Sequence, residues 1–224
     1  MKELSAIKLS KIARCILLAI LIYSAPGFAA QWELNKDENG IQVYTRSVDG
    51  YAYKAVRSVI HLQATKLSSV VSLIRNSKDC PQWSDSCASA TIIEWVRELE
   101  NYVHTITDRP WPVRDRDLVS HVIWRQDPET LVVTMQGNAT TDKLEENDGI
   151  VRLTAAQVNW QLTPLENSSV KVVLEAHINP ASLLPSWITN RLLVDSPYNS
   201  MEGLRQRVKH ELYQAVSLSY IREI

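Results

Sequence analysis

Asp108-Arg109-Pro110-Trp111-Pro112-Val113-Arg114-Asp115-Arg116-Asp117, running directly into Leu118-Val119-Ser120-His121-Val122-Ile123-Trp124, is the stretch on which the reading of this chain turns. Two prolines two residues apart exclude helix and also exclude a central hydrogen-bonded strand, so residues 110–113 are predicted to form an extended connection. In the strand that follows, alternation puts Arg116, Leu118, Ser120, Val122 and Trp124 on one face, and Asp117, Val119, His121, Ile123 and Arg125 on the other. The first set is the less polar and is the expected interior, so it carries Arg116 inward. A buried guanidinium is tolerated only if paired or hydrogen-bonded, since its desolvation costs on the order of several kcal/mol. A fixed cation beside an apolar interior is therefore the first feature to explain.

Residues 1–29 read as a secretory signal peptide. Lys8, Lys11 and Arg14 precede an apolar run from Cys15 to Tyr23, which is too short to span a membrane, and Gly27 and Ala29 suit a cleavage site. Removing this segment takes away four cations and one anion, which moves the formal charge from −1 to −4. No Lys/Arg run survives, which argues against nucleic acid as a partner. The single phenylalanine, Phe28, leaves with the segment. The remaining aromatic rings are all Trp and Tyr, which suit a pocket of mixed polarity.

About 195 residues remain, enough for one domain with a sizeable core. They include Cys80 and Cys87, separated by six residues. In an exported protein the natural reading is a disulfide, contributing roughly 2–3 kcal/mol on the chain-entropy model. A metal site is disfavoured, because no histidine flanks the pair at ligand spacing.

Along the chain, Ile41–Arg46 and Tyr51–His61 read as a hairpin turning at Val48-Asp49-Gly50. Lys66–Arg75 has the apolar spacing of a short amphipathic helix. Strands are predicted at Ala90–Val96, Tyr102–Thr107, Asp117–Trp124, Leu131–Met135, Val151–Leu162 and Val170–Ile178. A final helix from Pro185 to Leu212 should kink or break at Pro197. Strands followed by a long helix make an α+β chain.

Four landmarks, in order, resemble those of START domains, the StAR-related lipid-transfer family. The first is Trp32 with Asn39-Gly40-Ile41-Gln42-Val43-Tyr44-Thr45-Arg46, and the second is Asp79-Cys80-Pro81-Gln82-Trp83-Ser84. The third is the Pro110-Trp111-Pro112 to Val119 stretch. The fourth is Asn179-Pro180 followed by Leu184-Pro185-Ser186-Trp187-Ile188-Thr189-Asn190. The resemblance implies a helix-grip (START/Bet v 1-like) fold, in which a curved antiparallel sheet wraps a long C-terminal helix around an internal hydrophobic tunnel. It assigns 30–216 to the domain and leaves 217–224 as a C-terminal tail.

The resemblance also implies that the arginine matching Arg116 helps form a polar spot in the tunnel. Sterol-binding members pair it with an acid on the preceding strand. Here Asn101-Tyr102-Val103-His104-Thr105-Ile106-Thr107 has no acid, so Asp108, Asp115, Glu175 or a ligand anion is expected instead. The expected ligand-binding set is Arg116, Leu118, Ser120, Val122, Trp124, His104, Trp160, Val172, Leu174, Ile188, Leu192 and Met201. Val158, Leu162 and Ala176 are further wall positions, and Trp83, Trp111, Leu184 and Trp187 are placed at the tunnel mouth, where such side chains would suit transient contact with a membrane surface.

The expected function is non-catalytic binding, with transfer, of a lipid or other hydrophobic molecule by a monomer exported to the periplasm of a Gram-negative bacterium. No cofactor is expected. One rival is a cyclase- or hydrolase-like enzyme on the same fold, with His104, His121 or His177 meeting an acid in the tunnel. The other is an interaction protein with a filled core.

Overall fold

The computed structural model describes residues 31–181, 184 and 186–224, with the backbone alone for 186 and 187. The signal-peptide reading of 1–29 lies outside the described residues. Ten strands form one curved sheet: β1 Glu33–Glu38, β2 Ile41–Arg46, β3 Ala55–Leu62, β4 Cys87–Arg97, β5 Glu100–Thr107, β6 Arg116–Gln126, β7 Val133–Ala139, β8 Val151–Arg152, β9 Ala156–Leu165 and β10 Ser169–Ile178. The order is β1-β2-β3-β10-β9-β7-β6-β5-β4, every neighbouring pair antiparallel. β8 adds a short parallel pairing to the start of β6, and the sheet stays open, with β1 and β4 at its ends.

The register stacks side chains into rows that run across the sheet. One row, Ile41–Ile60–Val172–Leu162–Val133, crosses five strands, and each member is at most 1 % exposed. It forms the packed floor under Met201, Leu204 and Val208. Further along the strands the row Asn101–Val122–Gly137–Val158–Ala176 is much slimmer. With no side chain at Gly137 and one methyl at Ala176, it cannot reach the opposing layer, and the sheet is hollow there.

β1 was not predicted, because its side chains are nearly all exposed and show no apolar alternation. It pairs with β2 through a turn in which Asn39 and Gly40 take φ of 50° and 72°, the conformation of a tight two-residue hairpin. The predicted strand 151–162 is two strands, interrupted at Leu153–Ala155. Residues 110–113 do not run extended. A cis Trp111–Pro112 peptide and a Val113 N–H bond to the Pro110 carbonyl, at 3.0 Å, fold them into a turn.

Helix α1, Leu67–Arg75, buries Leu67, Val70, Val71 and Leu73. A 3-10 helix, Ser77–Gln82, follows it. The predicted C-terminal helix is three consecutive segments: α2 Ser186–Asn190, a π-helical turn Arg191–Asp195, and α3 Ser196–Arg207. Pro197 sits in the first turn of α3, where its missing N–H is tolerated, and the wide turn lies immediately before it. A short α4, Glu211–Gln214, ends the helical part.

Residues 217–224, expected as a tail, are packed on the domain. Ile221 is buried, and the Glu223 carboxylate accepts the Ser68 and Leu67 backbone N–H groups at 2.8 and 2.9 Å. Glu223 thereby caps α1, whose own cap position, Lys66, supplies no side-chain acceptor.

Candidate functional site

The hollow part of the sheet holds two adjoining cavities of about 340 and 240 Å³. They share the wall formed by Ser84, Arg109, Leu153, Leu174, Ala176 and Ile178. The larger is bounded by β4 to β7, β9 and β10 and by the Cys80–Ser84 segment. The smaller lies between β10 and the helical residues Thr189 to Ser200. Sites of about this size accommodate small-molecule ligands.

Of the wall predicted by alternation, Leu118, Ser120, Val122, Trp124, Val158, Trp160, Leu174 and Ala176 line the larger cavity. Arg116 and Leu192 line the smaller. Val172, Leu162, Ile188 and Met201 line neither. They are at most 1 % exposed and belong to the packed interior, because the widest side chains of sheet and helix meet there. Among the mouth positions, Trp83 is a wall of the larger cavity, edge-on to Trp160 at 6.0 Å, and Leu184 is a wall of the smaller. Trp111 is 90 % exposed and lines neither cavity. The Trp187 side chain lies outside the described residues.

His104 is corrected. On β5 the cavity-facing residues are Asn101, Val103, Thr105 and Thr107, so His104 points to the opposite face. There its Nε2 lies 2.8 Å from the Asp117 carboxylate. Asp117 also accepts Arg152 Nε at 3.0 Å and Nη2 at 2.8 Å, with both partners at most 2 % exposed at their side chains. Burial opposes ionisation of Asp117, but the Arg152 and His104 bonds outweigh it and hold the carboxyl below the usual range. The same bond raises the Arg152 pKa. His121 makes a parallel pair with Glu100, at 2.8 Å, and stacks on Tyr102. His177 lies edge-on to Tyr51 in a separate surface pocket.

Arg116 is 3 % exposed and donates from Nη1 to the Arg114 carbonyl. Burial, then the Arg114 charge, push its pKa down, and Asp115 partly offsets this. Of the acids proposed as its counter-charge, Glu175 is occupied by Arg57 at 2.6 Å. Asp115 accepts the Arg109 backbone N–H at 2.8 Å.

Arg109 and Asn101 are among the cavity residues that the sequence reading missed. Arg109 lies on the wall common to both cavities, and burial followed by the charge of Arg116 lowers its pKa. No periodicity could have placed it, because it precedes the strand and is aimed by the proline turn. Asn101 is 4 % exposed on the larger cavity, and its Oδ1 has no hydrogen-bond partner among the described residues. The phase of β5 relative to β6 would have found it.

Beside the cavities, α3 packs closely on the Cys80–Cys87 loop. The two cysteines are bonded, with Cα atoms 6.1 Å apart. A Cβ at Gly203 would lie 2.2 Å from the Trp83 carbonyl oxygen, so only glycine lets the helix approach this far. The Asp85 N–H donates to Ser200 Oγ at 3.0 Å and extends the same contact. Among the described residues no group of three or more His, Cys, Asp or Glu gathers to hold a metal ion.

The START domain family model matches residues 18–211. An uncharacterised protein of Pseudomonas aeruginosa is 30 % identical over 196 residues, covering 87 % of this chain and 96 % of its own. The crystal structure of a STAR-related lipid transfer protein fragment from Xanthomonas axonopodis is 30 % identical, with a TM-score of 0.72, over 80 % of this chain and 99 % of that one. Human StAR-related lipid transfer protein 5 shares the fold, with a TM-score of 0.71 at 16 % identity, over 93 % of this chain and 98 % of that one.

Proposed function

The chain belongs to the START domain family, and from that premise we propose that it binds, and transfers, a lipid or similar hydrophobic molecule without covalent chemistry. Family membership supports hydrophobic-ligand binding in general. The observation that carries the reading in this molecule is the slim row at Val122, Gly137, Val158 and Ala176, which leaves space where a filled core would have large side chains. The surrounding wall of Leu118, Trp124, Trp160 and Leu174 would desolvate an apolar chain, and that burial drives binding. Arg116, Arg109 and Asn101 supply polar groups that can orient it.

The non-catalytic part of the proposal draws support from the histidines. His104, His121 and His177 line neither cavity, and the first two are engaged with acids on the other face of the sheet. Export is part of the same reading. The Cys80–Cys87 bond supports it, since disulfides persist mainly in oxidising compartments.

The test is native mass spectrometry of the purified protein, before and after incubation with mixed-lipid vesicles, beside Ala176→Phe. Ala176 is on the wall of both cavities, so a ring there fills the space between them. A one-to-one lipid adduct in the wild type that is lost in a folded Ala176→Phe is the expected result. No adduct under either condition would sink the proposal.

A further inference from the structure

Arg109 is the one charged residue on the wall that the two cavities share; its companions there, Ser84, Leu153, Leu174, Ala176 and Ile178, are neutral. Its Nη1 donates to the carbonyl of Asp108 at 3.2 Å. No carboxylate lies within ion-pair distance of its guanidinium among the described residues. Arg57, Arg97, Arg152, Arg205 and Arg207, by contrast, each have one.

The acids near Arg109 are already engaged. Asp115 accepts its backbone N–H, while Asp85 accepts Ser86 Oγ at 3.2 Å and Asn199 Nδ2 at 3.4 Å. Arg116, which lines the smaller cavity with Arg109, adds a second positive charge there, and Asp115 and Asp85 offset only part of it. A guanidinium beside an apolar cavity is costly until an anion meets it. Its fork of N–H donors fits the paired oxygens of a carboxylate or phosphate better than a single hydroxyl.

We propose that the ligand is an anionic amphiphile whose carboxylate or phosphate head is held by Arg109 at the junction of the two cavities. Its tail lies along Leu118, Val122, Trp124 and Trp160 of the larger one. This rests on the lipid-binding reading above and adds the charge class of the ligand to it.

The test is calorimetric titration of delipidated protein with four probes sharing one C18 chain: oleic acid, mono-oleoyl phosphatidic acid, oleyl alcohol and methyl oleate. At least one acid should bind about 10- to 100-fold more tightly than the alcohol or ester, the worth of a charge-assisted hydrogen bond. Which acid binds more tightly separates a carboxylate head from a phosphate head. Arg109→Met should remove most of that preference, and Arg109→Lys should keep part of it. The wild-type comparison of acid with alcohol stands even if a variant misfolds. Equal affinity for acids and neutral probes overturns the anionic assignment and leaves lipid binding intact. No binding of any probe overturns both.

Discussion

Arg152→Met should destabilise the protein severely, although Arg152 lines neither cavity. The substitution removes two charge-assisted bonds to Asp117, at 3.0 and 2.8 Å, and two more to the carbonyls of Leu144 and Glu145, at 2.8 and 3.1 Å. Asp117, at 2 % exposure, is left with His104 alone. Breaking a buried ion pair from one side costs about 3–5 kcal/mol. Two hydrogen bonds to a charged group, at about 1.5–3 kcal/mol each, give about 3–6 kcal/mol, which overlaps that range. With a urea slope of about 2 kcal/mol/M, the midpoint should fall by about 1.5–2.5 M at pH 7.

The double variant Asp117→Leu with Arg152→Met should recover most of the loss, because it leaves no charge stranded. The pH dependence carries the same signature. The folded-state pKa of Asp117 is depressed, so its contribution is complete above the unfolded value and is lost as pH falls through the folded one. The wild type should hold its midpoint from pH 7 down to pH 5 and lose it only at more acid pH, and Arg152→Met should show a weaker acid limb. A loss below about 1 kcal/mol in Arg152→Met would refute the reasoning, since that is the worth of an exposed pair.

Gly203→Ala should lower the melting temperature despite alanine's better helix propensity. The new methyl meets the Trp83 carbonyl oxygen 2.2 Å away, and overpacking of about 1–3 kcal/mol exceeds a gain of at most about 1 kcal/mol. An unchanged or higher melting temperature would show that α3 and the Trp83 segment can separate freely. Glu223→Ala should cost about 1 kcal/mol in urea unfolding by uncapping α1, and equal midpoints would dismiss the cap. Cys80→Ser with Cys87→Ser should cost about 2–3 kcal/mol, and free alkylation of both thiols in unreduced protein would contradict the bond.

The sequence by itself determined what depends on neighbours along the chain. Alternation from Arg116 to Trp124 set which side chains face inward, and the spacing of Leu67, Val70 and Val71 set a helix. The four landmarks placed the chain in its family. The first two are local rules, two residues per strand repeat and 3.6 per turn, and survive without knowledge of the fold.

Only the tertiary structure decided the rest. The hollow exists because Val122, Gly137, Val158 and Ala176, from four strands, fall into one row, and that depends on the register of three strand pairings. Val172 and Met201 look like wall by alternation, yet they meet other wide side chains and become core. Arg109 reaches the cavities through a turn with no period to read. The partner of Asp117 is Arg152, 35 residues away, and the cap of α1 is Glu223, 155 residues beyond Ser68. A linear pattern fixes which way a side chain points; what it meets there is supplied by chain that only folding brings near.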